Sequence, residues 1–432
     1  MKSLNKEEKS WAFYDWGNSA YSMIITSTIL PIYFKLAAQE GGVPLTDSTA
    51  YWGYAVSIST LIVSILAPIL GAIADYKGYK KNFFKLFFTL GVISTLCLAM
   101  VPSDKPLILL IMYAFTVVGF SGANIFYDSF LVDVTDESRM DKVSASGFAL
   151  GYVGSTIPFV ISIIIVLLSQ KEVIPFSLSL SCKITFLITA LWWGIFTLPL
   201  LKNVNQKYYI EKEPKIVVNS FKRIIETFKN IKSHKNIFIF LIAYFFYIDG
   251  VDTIINMATS YGTDLGISMT SLLIILLLTQ FVAVPFTLIY GKLAKKVGTK
   301  KMLFVGIITY TTICIYAYFI KTALDFWILA MAVGSAQGGI QAISRSYFAK
   351  LVPKSKSNEF FGFYNIFGKF AAIMGPALVG IVTQVTGETN KGLISLVILF
   401  LIGGVILSQV ECNTEHSKDS DMVAINNKLE KC

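Results

Sequence analysis

Twelve apolar runs, each near the length that crosses a bilayer, set the terms for this chain. They fall around residues 12–36, 51–74, 83–101, 107–131, 144–168, 182–200, 236–258, 268–290, 303–320, 324–348, 360–384 and 392–409. An α-helix needs roughly 20 apolar residues to span the hydrocarbon core, and backbone groups in lipid are satisfied only in helices or closed barrels. Runs this long select the helix. Of 432 residues, 54% are hydrophobic and 15% charged, with mean hydropathy +0.64, outside the range of ordinary soluble domains. The expected fold class is an all-α integral membrane protein. Two runs are irregular: the first is broken by Asp15 and Asn18, and the eleventh carries Lys369 and Gly375-Pro376. Such groups are tolerated at membrane depth where neighbouring protein or a cavity satisfies them.

The chain is internally duplicated. Gly71-Ala-Ile-Ala-Asp75-Tyr-Lys77-Gly78-Tyr-Lys80-Lys81 and Gly291-Lys-Leu-Ala-Lys295-Lys296-Val-Gly298-Thr-Lys300-Lys301 are tight basic turns, each between two apolar runs. A second register, Asn124–Gly154 against Gln341–Ala371, sets Asp128 opposite Arg345, Asp133 opposite Lys350 and Gly151 opposite Gly368. Fixed-offset similarity of this kind marks structural repeats. The expected organisation is a six-helix bundle over 1–201, a linker over 202–235, a second bundle over 236–410 and a disordered polar tail over 411–432. In the linker, Ile216, Phe221, Ile224, Ile225, Phe228 and Ile231 recur at helical spacing among Lys222, Arg223, Lys229 and Lys232. That pattern fits an amphipathic helix on the inner leaflet; a solvated linker is the alternative.

Lys and Arg give the orientation. With the N-terminus inside, the outer connections hold only Lys35, Lys105, Lys171, Lys183, Lys321 and Lys391, so both termini are expected in the cytoplasm, most simply at the plasma membrane. The net charge of +10 therefore reports topology. It forms no continuous basic face, and no nucleic-acid partner is expected. Lys2, Lys6 and Lys9 precede a long first run without a small-residue cleavage site, which reads as a retained helix. Cys97, Cys182 and Cys314 lie in or beside spans and Cys412 and Cys432 in the tail, with neither a disulfide framework nor metal-ligand spacing.

Charges inside spans are costly and usually functional. Asp249 and Asp252 lie 13 to 16 residues into the seventh run, about 20–24 Å at 1.5 Å per residue, and Lys369 lies about nine residues into the eleventh. An Asp249–Lys369 pair, or one closed through a bound solute, is expected; a static ion pair is the alternative. A second polar set consists of Tyr14, Asp15 and Asn18 in the first run, Asn124, Tyr127 and Asp128 in the fourth, and Gln341 and Arg345 in the tenth. The Asp128/Arg345 repeat relation suggests a gate made of opposite charges, against a plain interfacial role at helix ends. In the first basic turn, Gly71 and Gly78 allow close helix approach, Asp75 can accept from amides at a helix end, and Lys77, Lys80 and Lys81 can hold the loop at an anionic surface.

These residues carry a resemblance. Gly71-x-x-x-Asp75-x-x-Gly78-x-Lys80-Lys81 is similar to the loop between the second and third helices of the major facilitator superfamily, whose halves form a parallel repeat. Tyr14-Asp15-Trp16-Gly17-Asn18-Ser19-Ala20-Tyr21, with Gln341-Ala-Ile-Ser344-Arg345-Ser346, Phe360-Phe361-Gly362 and Gly375-Pro376, resembles the vacuole-effluxer-like branch, whose eukaryotic members are linked to amino-acid export. The resemblance implies twelve helices in two pseudo-symmetric six-helix bundles, with spans one, four, seven and ten around a central cavity. It implies secondary transport of a small polar or zwitterionic solute, with amino-acid efflux leading. Asp15, Asn18, Asn124, Asp249, Asp252, Gln341 and Lys369 are then substrate or coupling candidates, and Gly71, Asp75, Gly78, Lys81, Asp128 and Arg345 gating candidates. One departure stands out, Lys295 where the first turn has Asp75. The histidines, His234 and His416, lie in loops, and no phosphate-binding motif drives a pump. No enzyme, cofactor or metal site is expected; the partners are a small solute, membrane lipids, and a proton or sodium as coupling ion. A proton-coupled exporter of an amphiphile and a non-transporting receptor or scaffold are the alternatives.

Overall fold

The structure, a computed structural model, describes residues 4–411. Lys2, Cys412, Cys432 and the tail expected beyond Glu411 lie outside the described residues. All regular elements are helical: α1 (Lys6–Tyr21), α2 (Ile29–Glu40), α3 (Leu45–Ala74), α4 (Tyr79–Leu98), α5 (Pro106–Ser129), α6 (Leu131–Val134), α7 (Glu137–Gln170) and α8 (Leu178–Asn203) build the first half. The linker helix is α9 (Ile216–Lys229). The second half contains α10 (Lys235–Asp264), α11 (Met269–Val297), α12 (Thr299–Tyr318), α13 (Ala323–Leu351), α14 (Ser357–Thr386), α15 (Thr389–Ser395) and α16 (Val397–Ser408). Twelve candidate spans result, α1–α2, α5–α6 and α15–α16 each acting as one. Their outward surfaces are apolar, as at Ile58, Leu107, Ile195, Ile308 and Leu401.

Local chemistry explains the helix starts. Asn5 accepts from the Glu8 amide while the Glu8 carboxylate accepts from Asn5, a reciprocal cap on α1. Thr322 and Asp325 do the same for α13, and Ser177 and Ser268 cap α8 and α11. The first span is broken, but not where expected. Asp15 and Asn18 sit within the regular helix α1, and the break is a π-turn at Ser22–Thr26. The polar side chains find partners on α5 across the bundle, so the backbone has no need to open around them. The eleventh span runs through Pro376 without a break in assignment.

Each half packs on itself, and the halves meet along two seams, α3 with α14 and α7 with α11 and α13. Small residues set both. A Cβ at Gly71 would lie 2.3 Å from the Asn358 carbonyl oxygen, and one at Gly362 would lie 2.7 Å from that of Ala67. On the other seam, a Cβ at Gly291 would lie 2.6 Å from that of Ala145. Backbones approach this closely in membranes only where small residues permit it.

Candidate functional site

At the basic end, the first turn is locked into the second half. Asp75 closes α3 and is fully buried. Its Oδ1 accepts from the backbone N–H and the side-chain amide of Asn358, both at 2.9 Å, and Oδ2 accepts from the Glu359 amide at 3.3 Å. These are the unsatisfied donors of the first turn of α14, where a carboxylate is favoured by capping and by the helix dipole. Burial, with Glu359 adding charge nearby and Arg223 opposing it, pushes the Asp75 carboxyl up to about 7. Arg223 of α9 donates to Asp75 at 3.1 Å, to Glu359 at 3.0 Å and to the Ala72 carbonyl at 3.2 Å. Gly78 adopts φ +83°, the left-handed geometry that suits glycine.

Lys80 behaves unlike a surface lysine. It is fully buried, pairing with Asp133 at 2.7 Å and donating to the Ser357 hydroxyl at 3.1 Å. Asp133 also accepts from the Lys207 and Tyr208 amides. The start of the linker is thus pinned beneath the turn, where Gln206 accepts from Gly78 and Ile210 bridges Tyr76. The other seam has a counterpart. Asp141, near the start of α7, accepts from Lys350 at 2.6 Å, Ser346 at 2.7 Å and Thr299 at 2.9 Å.

Between these latches and the membrane interior lies an arginine node. Arg345 of α13 donates to Asp128 at 3.0 Å, to Asp15 at 3.3 Å, and to the Ser144 hydroxyl and carbonyl at 3.0 and 3.2 Å. Its guanidinium stacks over Phe148 and Trp11 at 4.4 and 4.7 Å, the desolvated arrangement in which cation–π attraction is strongest. Tyr127 donates to Asp15 at 2.7 Å, and Asn124 accepts from Asn18 at 2.6 Å and from Tyr14 at 3.1 Å. Gly147 makes room, since a Cβ there would lie 2.6 Å from Asp15 Oδ2.

The node divides two polar chambers, with Asp128, Phe148, Gln341 and Arg345 on the wall of both. The first, about 320 Å³, is lined by Asp15, Asn18, Asn124, Tyr127 and Tyr152. The second, about 210 Å³, is lined by Asp252, Tyr244, Tyr364, Asn365 and Lys369. Asp252 and Lys369 face the same chamber without a direct ion pair among the described residues, and the buried Asn365 Oδ1 has no partner there.

Residues 4–138 and 132–420 match the family described as vacuole effluxer Atg22 like. The chain belongs to that family. It is 59% identical over 423 residues to the "Uncharacterized MFS-type transporter YxiO" of Bacillus subtilis (strain 168), covering 98% of this chain and 99% of that protein. It is 23% identical to "Autophagy-related protein 22" of Saccharomyces cerevisiae (strain ATCC 204508 / S288c), over 94% and 92% of the two chains. Among solved structures it resembles the proton:xylose symporter XylE, with TM-score 0.73, 12% identity and coverage of 94% and 95%. It also resembles FucP in the outward conformation, with TM-score 0.69, 12% identity and coverage of 94% and 98%. These two likenesses establish the major facilitator fold. This Atg22-like protein is therefore a multi-pass membrane transporter of the major facilitator type, not an enzyme.

In this family member the structure brings Asp15, Asn18, Asn124, Asp128, Gln341 and Arg345, read from the sequence as one polar set, onto the wall of one chamber. Two expectations need correction. Asp249 does not meet Lys369: it is fully buried, and its Oδ1 accepts from the Gly375 amide at 2.8 Å, one residue before Pro376. Asp252 is the acid that shares a chamber with Lys369. Lys81 makes an exposed contact to Asn205, and its neighbour Lys80 occupies the buried latch, so Lys80 does not serve at a lipid surface. Sequence reasoning missed Asp141, Arg223 and Glu359 as site residues. Asp141 had a signal, because the offset of 217 sets it opposite Asn358, the partner of Asp75.

Proposed function

We propose that the protein exports a small zwitterionic solute, an amino acid, across the plasma membrane by alternating access, with the basic turns and both termini in the cytoplasm. The observation that carries this reading is the second chamber. Asp252 and Lys369 offer opposite charges to one space, and two isolated charges in a low-dielectric interior are each expensive. A zwitterion's ammonium and carboxylate compensate both at once. The bundles over 1–201 and 236–410 rock about this region. The two latches and the Arg345 node hold the cytoplasmic end closed, and Asp15 and Asp128 are the carboxylates through which a proton couples to that closure. An amphiphilic substrate is supported less well. The apolar cavity among Ile254, Tyr261, Leu272 and Phe326 has only about 70 Å³, against about 210 Å³ for the charged chamber.

Counterflow in proteoliposomes tests the reading. Vesicles preloaded with an unlabelled amino-acid mixture are expected to accumulate individual labelled amino acids saturably. Lys369→Ala and Asp252→Ala should each abolish this in protein that purifies as a monodisperse species. Wild-type protein that shows no counterflow for any amino acid, while moving an amphiphilic dye, would replace the zwitterion with the amphiphile.

A further inference from the structure

The helix that joins the bundles has two functional faces. On α9, Ser220, Arg223 and Thr227 lie three and four residues apart, which places them on one side of the helix. Ser220 and Thr227 are buried. Through that side α9 grips both halves: Arg223 holds Asp75 at the end of α3 and Glu359 at the start of α14, and Thr227 donates to the second Glu359 oxygen at 2.6 Å. Asp75 and Glu359 are fully buried and come from opposite bundles. Arg223 is the cation in contact with both. Withdrawing it would leave two carboxylates facing each other out of water, so separation of the bundles would relieve a repulsion that α9 now neutralises.

The other side of α9 carries Val217, Val218, Phe221 and Ile225, between 46% and 53% exposed. Lys222 and Lys229 are exposed beside them. From Glu211 to Lys235 the sequence holds six lysines besides Arg223, against three glutamates. The helix sits against the end of α3, where that span emerges from the apolar layer. An apolar stripe bordered by lysines at this level matches the boundary of an anionic bilayer, in which the side chains enter the acyl region and the ammonium groups meet lipid phosphates.

We propose that the outer face of α9 binds the anionic lipid surface and that this attachment seats Arg223 between Asp75 and Glu359, so that lipid charge sets how firmly the basic end is closed. A bilayer poor in anionic lipid lets α9 lift, and the clamp across the bundles loosens. The proposal needs only the fold and the contacts of α9; it stands or falls apart from the choice of substrate.

The test is a distance measurement in lipid. Spin labels on Asn82→Cys in α4 and Lys296→Cys in α11, both exposed at the basic end of opposite halves, report closure in a background without the five native cysteines. The protein is placed in nanodiscs of phosphatidylcholine alone or with about a third phosphatidylglycerol. The closed-to-open ratio should rise about fivefold or more with the anionic lipid, the scale expected for lysines at such a surface. Phe221→Ser with Ile225→Ser should remove that lipid dependence, and Arg223→Gln should hold the ratio at its low value in both discs. A ratio indifferent to lipid charge overturns the proposal. So does a lipid effect that survives in either variant, since the lipid would then act elsewhere. Should Arg223→Gln fail to fold, the double variant, which leaves the Arg223 and Thr227 side chains in place, decides alone.

Discussion

Asp249 and Asp252 stand three residues apart on α10, only about 60° around the helix, yet they meet different neighbours. Asp249 accepts the Gly375 amide of α14, one residue before Pro376, and Asp252 lines the chamber with Lys369. The duty of Asp249 is to satisfy backbone. Asp249→Ala should therefore lower stability by about 1–3 kcal/mol, the cost of an unsatisfied buried donor, and be read as an earlier melting transition in detergent. Asp252→Asn removes no such partner, so its melting should stay near wild type while transport is lost. Lys369→Ala should likewise spare folding better than Asp249→Ala. Equal destabilisation by the Asp249 and Asp252 changes would contradict the division. The sequence placed both acids well inside the seventh span, and both lie within α10, because position along a span follows from counting along an apolar run. It paired the wrong acid with Lys369, because the pairing depends on how α10 and α14 rotate against each other, and spacing in a single helix does not encode it.

The α3–α14 seam shows how one turn couples sequence, packing and pH. Gly71 lies against the Asn358 backbone, so Gly71→Ala must push α3 and α14 apart; cysteine pairs across this seam should crosslink more slowly than in the wild type. Asp75 adds a titration. In the closed arrangement its carboxyl is pushed up to about 7, against an ordinary value of 3.8 when released to water. The closed state then holds the proton more tightly than the open one, and acid favours closure. That contribution is complete below about 3.8, declines as pH rises through about 7 and is absent above it. Closure measured by spin-label distances should fall between about pH 4 and 7 in the wild type, and the step should vanish in Asp75→Asn; a step of unchanged size in the variant would assign it to another group. The turn itself was legible, since glycines flanking an acid and followed by lysines specify a tight basic connection. The burial of Lys80 was not, because nothing local separates it from Lys81. It is decided by Asp133, which lies 53 residues away.

Across the whole molecule, the two repeats close the basic end with different chemistry in equivalent places. In the first seam the acid belongs to the turn, and Asp75 reaches Asn358 at the start of α14. In the second, the turn carries Lys295, and the acid stands at the position equivalent to Asn358, where Asp141 reaches Lys350, Ser346 and Thr299. The duplication made the fold and the Asp128–Arg345 meeting readable, because equal offsets imply equal depth. It hid the second latch, because a search for a second acid in the second turn looks on the wrong partner. The two latches share no side chain in the contacts described, although the second stands beside the Arg345 node, which bonds Ser144 across the same α7–α13 seam; independent contributions to one open–closed equilibrium would add in free energy. Asp75→Ala and Asp141→Ala each leave buried donors without their acceptor, at about 1–3 kcal/mol, which corresponds to roughly 5- to 150-fold in the ratio of states. If the latches act in parallel, the closed-to-open ratio of the double variant should fall by the product of the two single effects, read from the same pair of labels at a pH near 6, where Asp75 holds its proton and the first latch contributes. A double variant no more open than the worse single variant would mean that one latch engages only after the other, making closure of the two seams a sequence rather than two independent contributions.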